Sequence, residues 1–203
     1  VAVSGCASRV TLTIKWSSRV TGSWKAGCLV ALDQTRVGSD FTGTVATVDG
    51  VNFSVNMLPN SYWWDSGSSH AFSFVSPLAV NGKQYSWSST SGLSSLQGGT
   101  LTIAGSGNVI GNYIVQSQIT FDHTGINSDF PGTIIIIDSI SYGYSNLPTS
   151  FFWNVGSTHN FAFQSPLIVG ANSKQYVWTS TTGLSSVQAG SITVAAYGSV
   201  VGN

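Results

Sequence analysis

The sequence predicts an all-β protein made of two tandem immunoglobulin-like β-sandwich domains with an extra N-terminal strand. Three observations predict it: a repeat with a period near ninety residues, short runs of alternating apolar and polar residues, and no segment with convincing helical periodicity. We therefore predict an N-terminal extension over residues 1–23, a first repeat over 24–112 and a second repeat over 113–203.

The repeat is visible as identical residues at a constant spacing. Residues 30–77 match residues 119–166 at an offset of 89, and a two-residue insertion near Gly170 then moves the offset to 91. The matched positions include a tryptophan and a histidine in each repeat: Trp64 with Trp153, and His70 with His159. Because these residues recur, we expect them to maintain the architecture of each repeat.

Short strands bounded by Gly, Ser, Asn and Pro are predicted throughout, because these residues favour turns. In the second repeat the clearest runs are Ile114–Phe121, Thr133–Ile137, Asn160–Phe163, Gln175–Thr179, Ser191–Val194 and Ser199–Gly202. The four isoleucines at 134–137 are apolar on both faces, as a central strand can be. We count about six strands per repeat where the immunoglobulin-like fold usually has seven, so each repeat is predicted to be a strand short.

The cleanest alternation in the chain lies in the N-terminal extension, at residues 9–16. One face carries the apolar residues Val10, Leu12, Ile14 and Trp16. This strand either folds onto its own first repeat, as consecutive strands usually do, or adds to another copy as a donor strand. The predicted missing strand favours the donor role, and a head-to-tail contact of that kind builds a filament.

A motif near the end of each repeat carries a resemblance to a known family. Residues 176–186 read Tyr-Val-Trp-Thr-Ser-Thr-Thr-Gly-Leu-Ser-Ser, are matched by residues 85–95, and are followed by an Ile-Thr-Val strand and Gly202-Asn203. This resembles the β-sandwich repeats of archaeal cell-surface proteins. With its free N-terminal strand, the chain is similar to the subunit of archaeal thread filaments, the extracellular pili of thermoacidophiles. The resemblance implies donor-strand assembly and a glycosylated filament, although this chain has few glycosylation sequons.

The composition fits an exported protein that associates with itself. The chain has 7 Lys+Arg and 7 Asp+Glu, and charged residues make up 7% where about 25% is usual. A chain with so few and balanced charges is predicted to have no nucleic-acid partner and to lose little stability in acid. The low net charge also permits close assembly of subunits. No apolar run is long enough to span a membrane, and we interpret Val1 as a processed N-terminus. We expect an extracellular filament at the cell surface.

Two covalent features are predicted. Cys6 and Cys28 are the only cysteines, and in an exported protein we expect them to form a disulfide, within one chain or between two. Asn52 begins the tripeptide Asn-Phe-Ser, an acceptor for a possible N-linked glycan.

Enzymatic chemistry is not predicted, and neither is a cofactor. His70 and His159 are duplicates, and the chain has no Gly-x-Ser-x-Gly elbow. No metal site is predicted either, because the recurring aspartates fit turns in which Asp side chains accept backbone amides. Lys83 and Lys174 are weaker candidates for an intramolecular isopeptide bond.

Two other functions remain open. The aromatic triplets at residues 62–64 and 151–153 would suit a monomeric cell-surface adhesin or a carbohydrate-binding module if their rings were exposed and coplanar. An S-layer or capsid component would also explain the composition, since such proteins assemble in two dimensions or as a shell.

Overall fold

The protein is described from a computed structural model that defines residues 25–171 and 173–203. Strands make up 57% of it and no helix reaches seven residues, so the predicted all-β class is confirmed. The strands are β1 (Gly27–Thr35), β2 (Ala46–Val48), β3 (Val51–Phe53), β4 (Asn60–Asp65), β5 (Ser69–Phe74), β6 (Leu78–Val80), β7 (Lys83–Gly92), β8 (Gly98–Thr102), β9 (Gly107–His123), β10 (Thr133–Ile137), β11 (Ile140–Gly143), β12 (Thr149–Asn154), β13 (Thr158–Phe163), β14 (Leu167–Val169), β15 (Lys174–Tyr176), β16 (Thr181–Gly183), β17 (Ala189–Thr193) and β18 (Gly198–Gly202).

The chain divides into two compact units. The first contains residues 25–78 and 85–114, and the second contains Ala79–Gln84 and Val115–Asn203. The second unit thus includes six residues of the first sequence repeat. Strand β9 continues through the repeat boundary predicted between residues 112 and 113.

In the first unit, β1 lies between an antiparallel neighbour, β4, and a parallel neighbour, β9. A second sheet has the order β3-β2-β5-β8, and all its neighbours are antiparallel. Alternate residues of β1 are buried, namely Cys28, Val30 and Leu32. This is the alternation expected of a strand with one face toward a core.

The second unit has the same arrangement. Here β9 lies between antiparallel β12 and parallel β18, and β16 pairs with β18. The second sheet has the order β11-β10-β13-β17, and β14 pairs with β15 as a separate hairpin. The two main sheets share one core, formed by Ile119, Phe121, Ile134, Ile135, Ile137, Phe161, Phe163, Leu167, Ile192, Val194 and Val200. Strand β10 is paired on both sides, so the isoleucine run is the central strand predicted from sequence.

The predicted count of about six strands per repeat is wrong. The first repeat forms β1–β8 and the first part of β9, and the second repeat forms the rest of β9 and β10–β18. Three-residue strands account for much of the difference, because they are too short for alternation to show in the sequence. The predicted missing strand therefore gives no support to the donor role of the N-terminal strand. Support for that role depends instead on an open edge or groove in the packing.

Candidate functional site

A stack of parallel rings characterises the first unit. The ring centroids of Tyr62 and Trp64 are 4.8 Å apart, and those of Trp64 and His70 are 3.9 Å apart. Two polar groups fix the imidazole of His70: Nδ1 lies 2.7 Å from Asp49 Oδ2, and Nε2 lies 2.9 Å from Ser68 Oγ. Strands β4 and β5 and the turn before β3 thus meet at this cluster.

The second unit repeats the cluster member by member. Trp153 stacks between Phe151, at 4.8 Å, and His159, at 3.6 Å. His159 Nδ1 lies 2.6 Å from Asp138 Oδ2, and Nε2 lies 2.8 Å from Ser157 Oγ. Both copies place the same hydrogen bonds on the same ring, which supports a structural role for the cluster.

The Asp–His–Ser order resembles a serine-hydrolase triad, but each serine also bonds a backbone carbonyl. In a triad the serine hydroxyl donates to histidine Nε2. Here Ser68 Oγ donates to the carbonyl oxygen of Asp65, 2.6 Å away, and lies 2.9 Å from His70 Nε2. Ser157 likewise donates to the carbonyl of Asn154. In both copies the serine hydroxyl is thus held by a backbone carbonyl of its own turn, which agrees with a structural role for the cluster.

The two carboxylates of these clusters are stabilised in their ionised form. The hydrogen bond from His70 lowers the pKa of Asp49, and the Ala71 amide donates a second hydrogen bond at 2.8 Å. Burial raises the pKa of Asp138, but hydrogen bonds from His159 and the Asn160 amide outweigh burial and lower the pKa overall. Both aspartates therefore contribute to stability when charged.

We expect the Asp–His pairs to make the fold less stable in strong acid. A carboxyl group with a folded pKa below its ordinary 3.8 stabilises the fold above that pH, and the contribution is lost as the pH falls through the folded pKa. Replacing Asp49→Asn and Asp138→Asn together should lower the Tm at pH 5 by roughly 3–6 °C, since each partly exposed pair contributes up to about 1 kcal/mol.

Calorimetry between about pH 5 and pH 2 tests this dependence. The Tm difference should shrink as the pH falls below 4, because both wild-type carboxyls then take up protons. Asparagine suits these positions, where φ is 48° and 45°, because it tolerates the left-handed region. Asp65→Asn, which removes only the exposed ion pair with Lys25, is the control. A Tm difference that is the same at every pH would contradict the prediction.

The other aspartates accept hydrogen bonds from backbone amides, lysine or tyrosine. Asp33 accepts from the Gln34 amide and Asp122 from the His123 amide, at 2.7 and 2.8 Å, but both lie within strands, β1 and β9, so these contacts are not the predicted turn chemistry. Among residues 25–171 and 173–203, no three His, Cys, Asp or Glu side chains come together in a way that could hold a metal ion.

Lys174 meets a carboxylate in the second unit. Its Nζ lies 2.8 Å from Asp129 Oδ2, and the Tyr176 hydroxyl donates to Asp129 Oδ1 at 2.6 Å. The hydrogen bond between them raises the pKa of Lys174 and lowers the pKa of Asp129. An isopeptide bond would need a neutral amine, so this geometry favours an ion pair.

An apolar groove opens where β9, β13 and β18 of the second unit end. Its cavity has a volume of about 110 Å³. The buried side chains of Ile134, Phe163 and Leu167 line it, and Ile126 and Trp178 are partly exposed at its walls. The groove is therefore mainly apolar and reaches the main core.

A buried nitrogen without a partner borders the same groove. The Nδ1 atom of His123 is buried and has no hydrogen-bond partner in the described part of the chain. In the first repeat Gln34 takes this position, and its side-chain amide bonds both the N–H and the C=O of Val37, at 2.8 and 3.2 Å. Val37 is buried, whereas its counterpart Ile126 is partly exposed. The first repeat closes this position and the second leaves it open.

The sheet beside the groove also differs between the repeats. In the first repeat β7 is one strand of ten residues, Lys83–Gly92. The matching segment of the second repeat forms β15 and β16, and residues 177–180 between them belong to no strand. The interruption lies at Val177 and Trp178, which line the groove.

The aromatic triplets do not form a coplanar exposed platform. In β4, Tyr62 and Trp64 are partly buried in the ring stack, while Trp63 points to the opposite face and is 74% exposed. In β12, Phe151 and Trp153 are likewise stacked. Of the first triplet, only Trp63 is therefore exposed.

The residues predicted from sequence fall in different parts of the molecule. The proposed donor strand (Val10, Leu12, Ile14 and Trp16) and Cys6 lie outside the described residues, so the donor strand and the disulfide pairing stay predictions. Cys28 is buried and disulfide-bonded. Asn52 is exposed on β3, which pairs only with β2 among the described strands, so it is accessible to a glycan. Glycosylation stays a prediction.

Two features of the site were not predicted from sequence. The Asp49–His70 pair had a signal, because both residues recur at the same offset in the second repeat, but recurrence does not show contact. For the groove, the only signal in the sequence was that Gln34 of the first repeat is replaced by His123 in the second. The importance of this replacement depends on the hydrogen bonds of Gln34, which only the structure shows.

Comparison with known protein families and with curated proteins finds no match to this chain. The function of this chain is therefore inferred from its own fold and from the geometry of its candidate site. No helix within the described ranges is long and apolar enough to cross a membrane.

Proposed function

We propose that this protein is the subunit of an extracellular filament, built of two immunoglobulin-like domains that follow an N-terminal donor strand. The N-terminal strand of one copy would bind in the groove of the second repeat of the next copy. The observation that supports this most is the asymmetry between the repeats: the position closed by Gln34 and Val37 is open at His123 and Ile126.

The groove suits an alternating apolar strand. Val10, Leu12, Ile14 and Trp16 share one face, and the cavity of about 110 Å³ has room for one side chain of this kind, whose full burial contributes roughly 1.5–3 kcal/mol. The amides of Trp178, Thr179 and Ser180 already donate to Ser165 Oγ and to the Asn203 carbonyl, so apolar side chains would hold the donor strand in the groove. Each copy would be donor once and acceptor once, so the contact would be head-to-tail and open-ended.

Carbohydrate binding is the second candidate. Trp63 is exposed beside the Lys25–Asp65 ion pair, and a tryptophan face flanked by charged hydrogen-bonding groups suits a sugar ring. In that case Trp63→Ala would abolish binding to a glycan array and leave the assembly state unchanged. An S-layer or capsid component would instead give sheets or shells under the electron microscope.

Filling the groove tests the filament proposal. Ile126→Trp places a large ring where the donor strand would bind, so the variant should donate its own strand but accept none. We expect electron microscopy of the purified variant to show no long filaments, and small amounts added to wild type should shorten wild-type filaments. Ile140→Trp, at a site 59% exposed on β11, is the matched control. Normal filaments from a folded Ile126→Trp protein would refute the groove as acceptor.

A further inference from the structure

One hairpin of the first repeat is covered within the second unit. In the turn between β6 and β7, the Gly82 carbonyl accepts from the Gln118 amide at 2.7 Å. Gln84 Nε2 donates to Gln116 Oε1 at 2.7 Å. The ring of Tyr197 lies so close that a Cβ at Gly82 would be 2.7 Å from it. Residues 79–84 are thus docked on a specific surface.

The matching hairpin of the second repeat, formed by β14 and β15, is uncovered. Ser173, Lys174, Gln175 and Val177 are all exposed, whereas their counterparts Gly82, Lys83, Gln84 and Ser86 are all partly buried. Two positions have also become apolar. Ile168 replaces Ala79 and is 49% exposed, and Val177 replaces Ser86 and is 55% exposed. An apolar hairpin without a cover is typical of a contact surface.

The covering surface has an uncovered counterpart in the first repeat. Gln118, which lies under the covered hairpin, corresponds to Leu29 of β1, and Leu29 is 40% exposed. Trp63 lies directly opposite Leu29 in the neighbouring strand β4. The polar residue Gln118 thus lies where the contact is made inside the chain, whereas the apolar residues Leu29 and Trp63 are exposed in the described part of the chain.

We infer that the β14–β15 hairpin of one copy docks on the Leu29–Trp63 surface of a second copy, at the place equivalent to the one where residues 79–84 dock within one chain. The Leu29 amide already donates to Ser106 Oγ, so side chains would make this contact. Ile168 and Val177 would meet Leu29 and Trp63, so both apolar surfaces would be buried together. The inference rests on the proposed filament function and adds a second interface to the donor strand.

A polar contact and the chain length fit the same arrangement. Inside the chain, Gln84 bonds Gln116, which donates to Asn154 at 3.0 Å. Between chains, the counterpart Gln175 would donate to Asp65, which occupies the position of Asn154. Trp16 is nine residues before Lys25, and nine residues span at most about 30 Å. A donor strand held in the groove would therefore keep β1 of its own chain near the hairpin, because Leu167, Tyr176 and Val177 line that groove.

A photo-crosslinking amino acid at position 177 of the full-length protein tests the inference. Unlabelled and nitrogen-15-labelled chains are mixed before irradiation, and the crosslinked peptides are identified by mass spectrometry. We expect mixed-label crosslinks to residues 27–30 or 61–65. Filaments without such crosslinks would overturn the hairpin contact and leave the filament proposal standing. Mixed-label crosslinks to these residues without filaments would support the contact and overturn the filament proposal. A protein that gives neither filaments nor mixed-label crosslinks would overturn both the filament proposal and the hairpin contact.

Charge substitutions give an independent readout. Ile168→Asp, which leaves the groove-lining Val177 unchanged, should raise the critical concentration for assembly at least about tenfold, because a charge would be buried against apolar side chains. Ile140→Asp, at an equally exposed position on β11, should change it less than about twofold. Equal effects of the two changes would overturn the proposed docking surface, provided that both proteins keep wild-type circular dichroism.

Discussion

Deleting residues 1–16 is expected to abolish filaments and leave a dispersed, folded protein. The deletion removes all four apolar residues of the proposed donor strand, Val10, Leu12, Ile14 and Trp16. The apolar groove of the second unit would then have no strand to bind. Electron microscopy and sedimentation velocity at equal protein concentration measure the loss.

The deletion also removes Cys6, and the control has to account for this. A full-length chain with Cys6→Ser and Cys28→Ser keeps the donor strand and lacks both cysteines. Because Cys28 is buried and disulfide-bonded, this control should be less stable by about 2–5 kcal/mol. If the disulfide lies within one chain, the control should still form filaments, which separates the effect of the strand from that of the cysteine.

The truncated chain should keep its acceptor groove. Mixed with Ile126→Trp, which keeps its donor strand, it should form a complex of one copy of each and grow no further. Filaments of normal width from the truncated chain alone would contradict donor-strand assembly. The N-terminal strand would then be a strand of its own subunit, and the binding-module function would gain support.

The repeat and the all-β class could be predicted because they depend on local pattern. The isoleucine run at 134–137 became the central strand β10, and the Gly-Leu-Ser-Ser motif recurs where β16 turns toward β17. Period and turn chemistry decide such features within a few residues of sequence. The six-strand count failed because three-residue strands are too short to show a local pattern and depend on pairing with their neighbours.

The groove could not be predicted, because it depends on a difference in tertiary contacts. Gln34 and His123 are both polar residues at the end of a strand, and sequence alone gives no reason to rank one above the other. Only the structure shows that Gln34 bonds both backbone groups of Val37 while His123 Nδ1 has no partner among the described residues. The hairpin contact of residues 79–84 is likewise made by residues distant in sequence.

A substitution in the repeated motif should have the largest effect on the stability of the second unit. Gly183 has a φ of +93°, and a Cβ at this position would lie 2.1 Å from the carbonyl oxygen of Ser199. That carbonyl also accepts the Leu184 amide at 2.8 Å, so it cannot move away without breaking the pairing of β16 with β18. We expect Gly183→Ala to cost about 3–5 kcal/mol, from backbone strain and steric overlap together.

Gly156 provides a matched control for the strain alone. Its φ is +91°, nearly that of Gly183, but a Cβ there would meet nothing within 4 Å. Gly156→Ala should therefore cost only about 1–2 kcal/mol in denaturant unfolding, the part due to the left-handed backbone. Equal losses for the two variants would mean that backbone conformation, and not the contact with β18, requires glycine in the motif. A larger loss at Gly183 would show that the motif needs glycine because β16 and β18 approach each other closely. The glycine of the first repeat, Gly92, would then be required for the same reason, because a Cβ there would lie 2.0 Å from the carbonyl oxygen of Asn108.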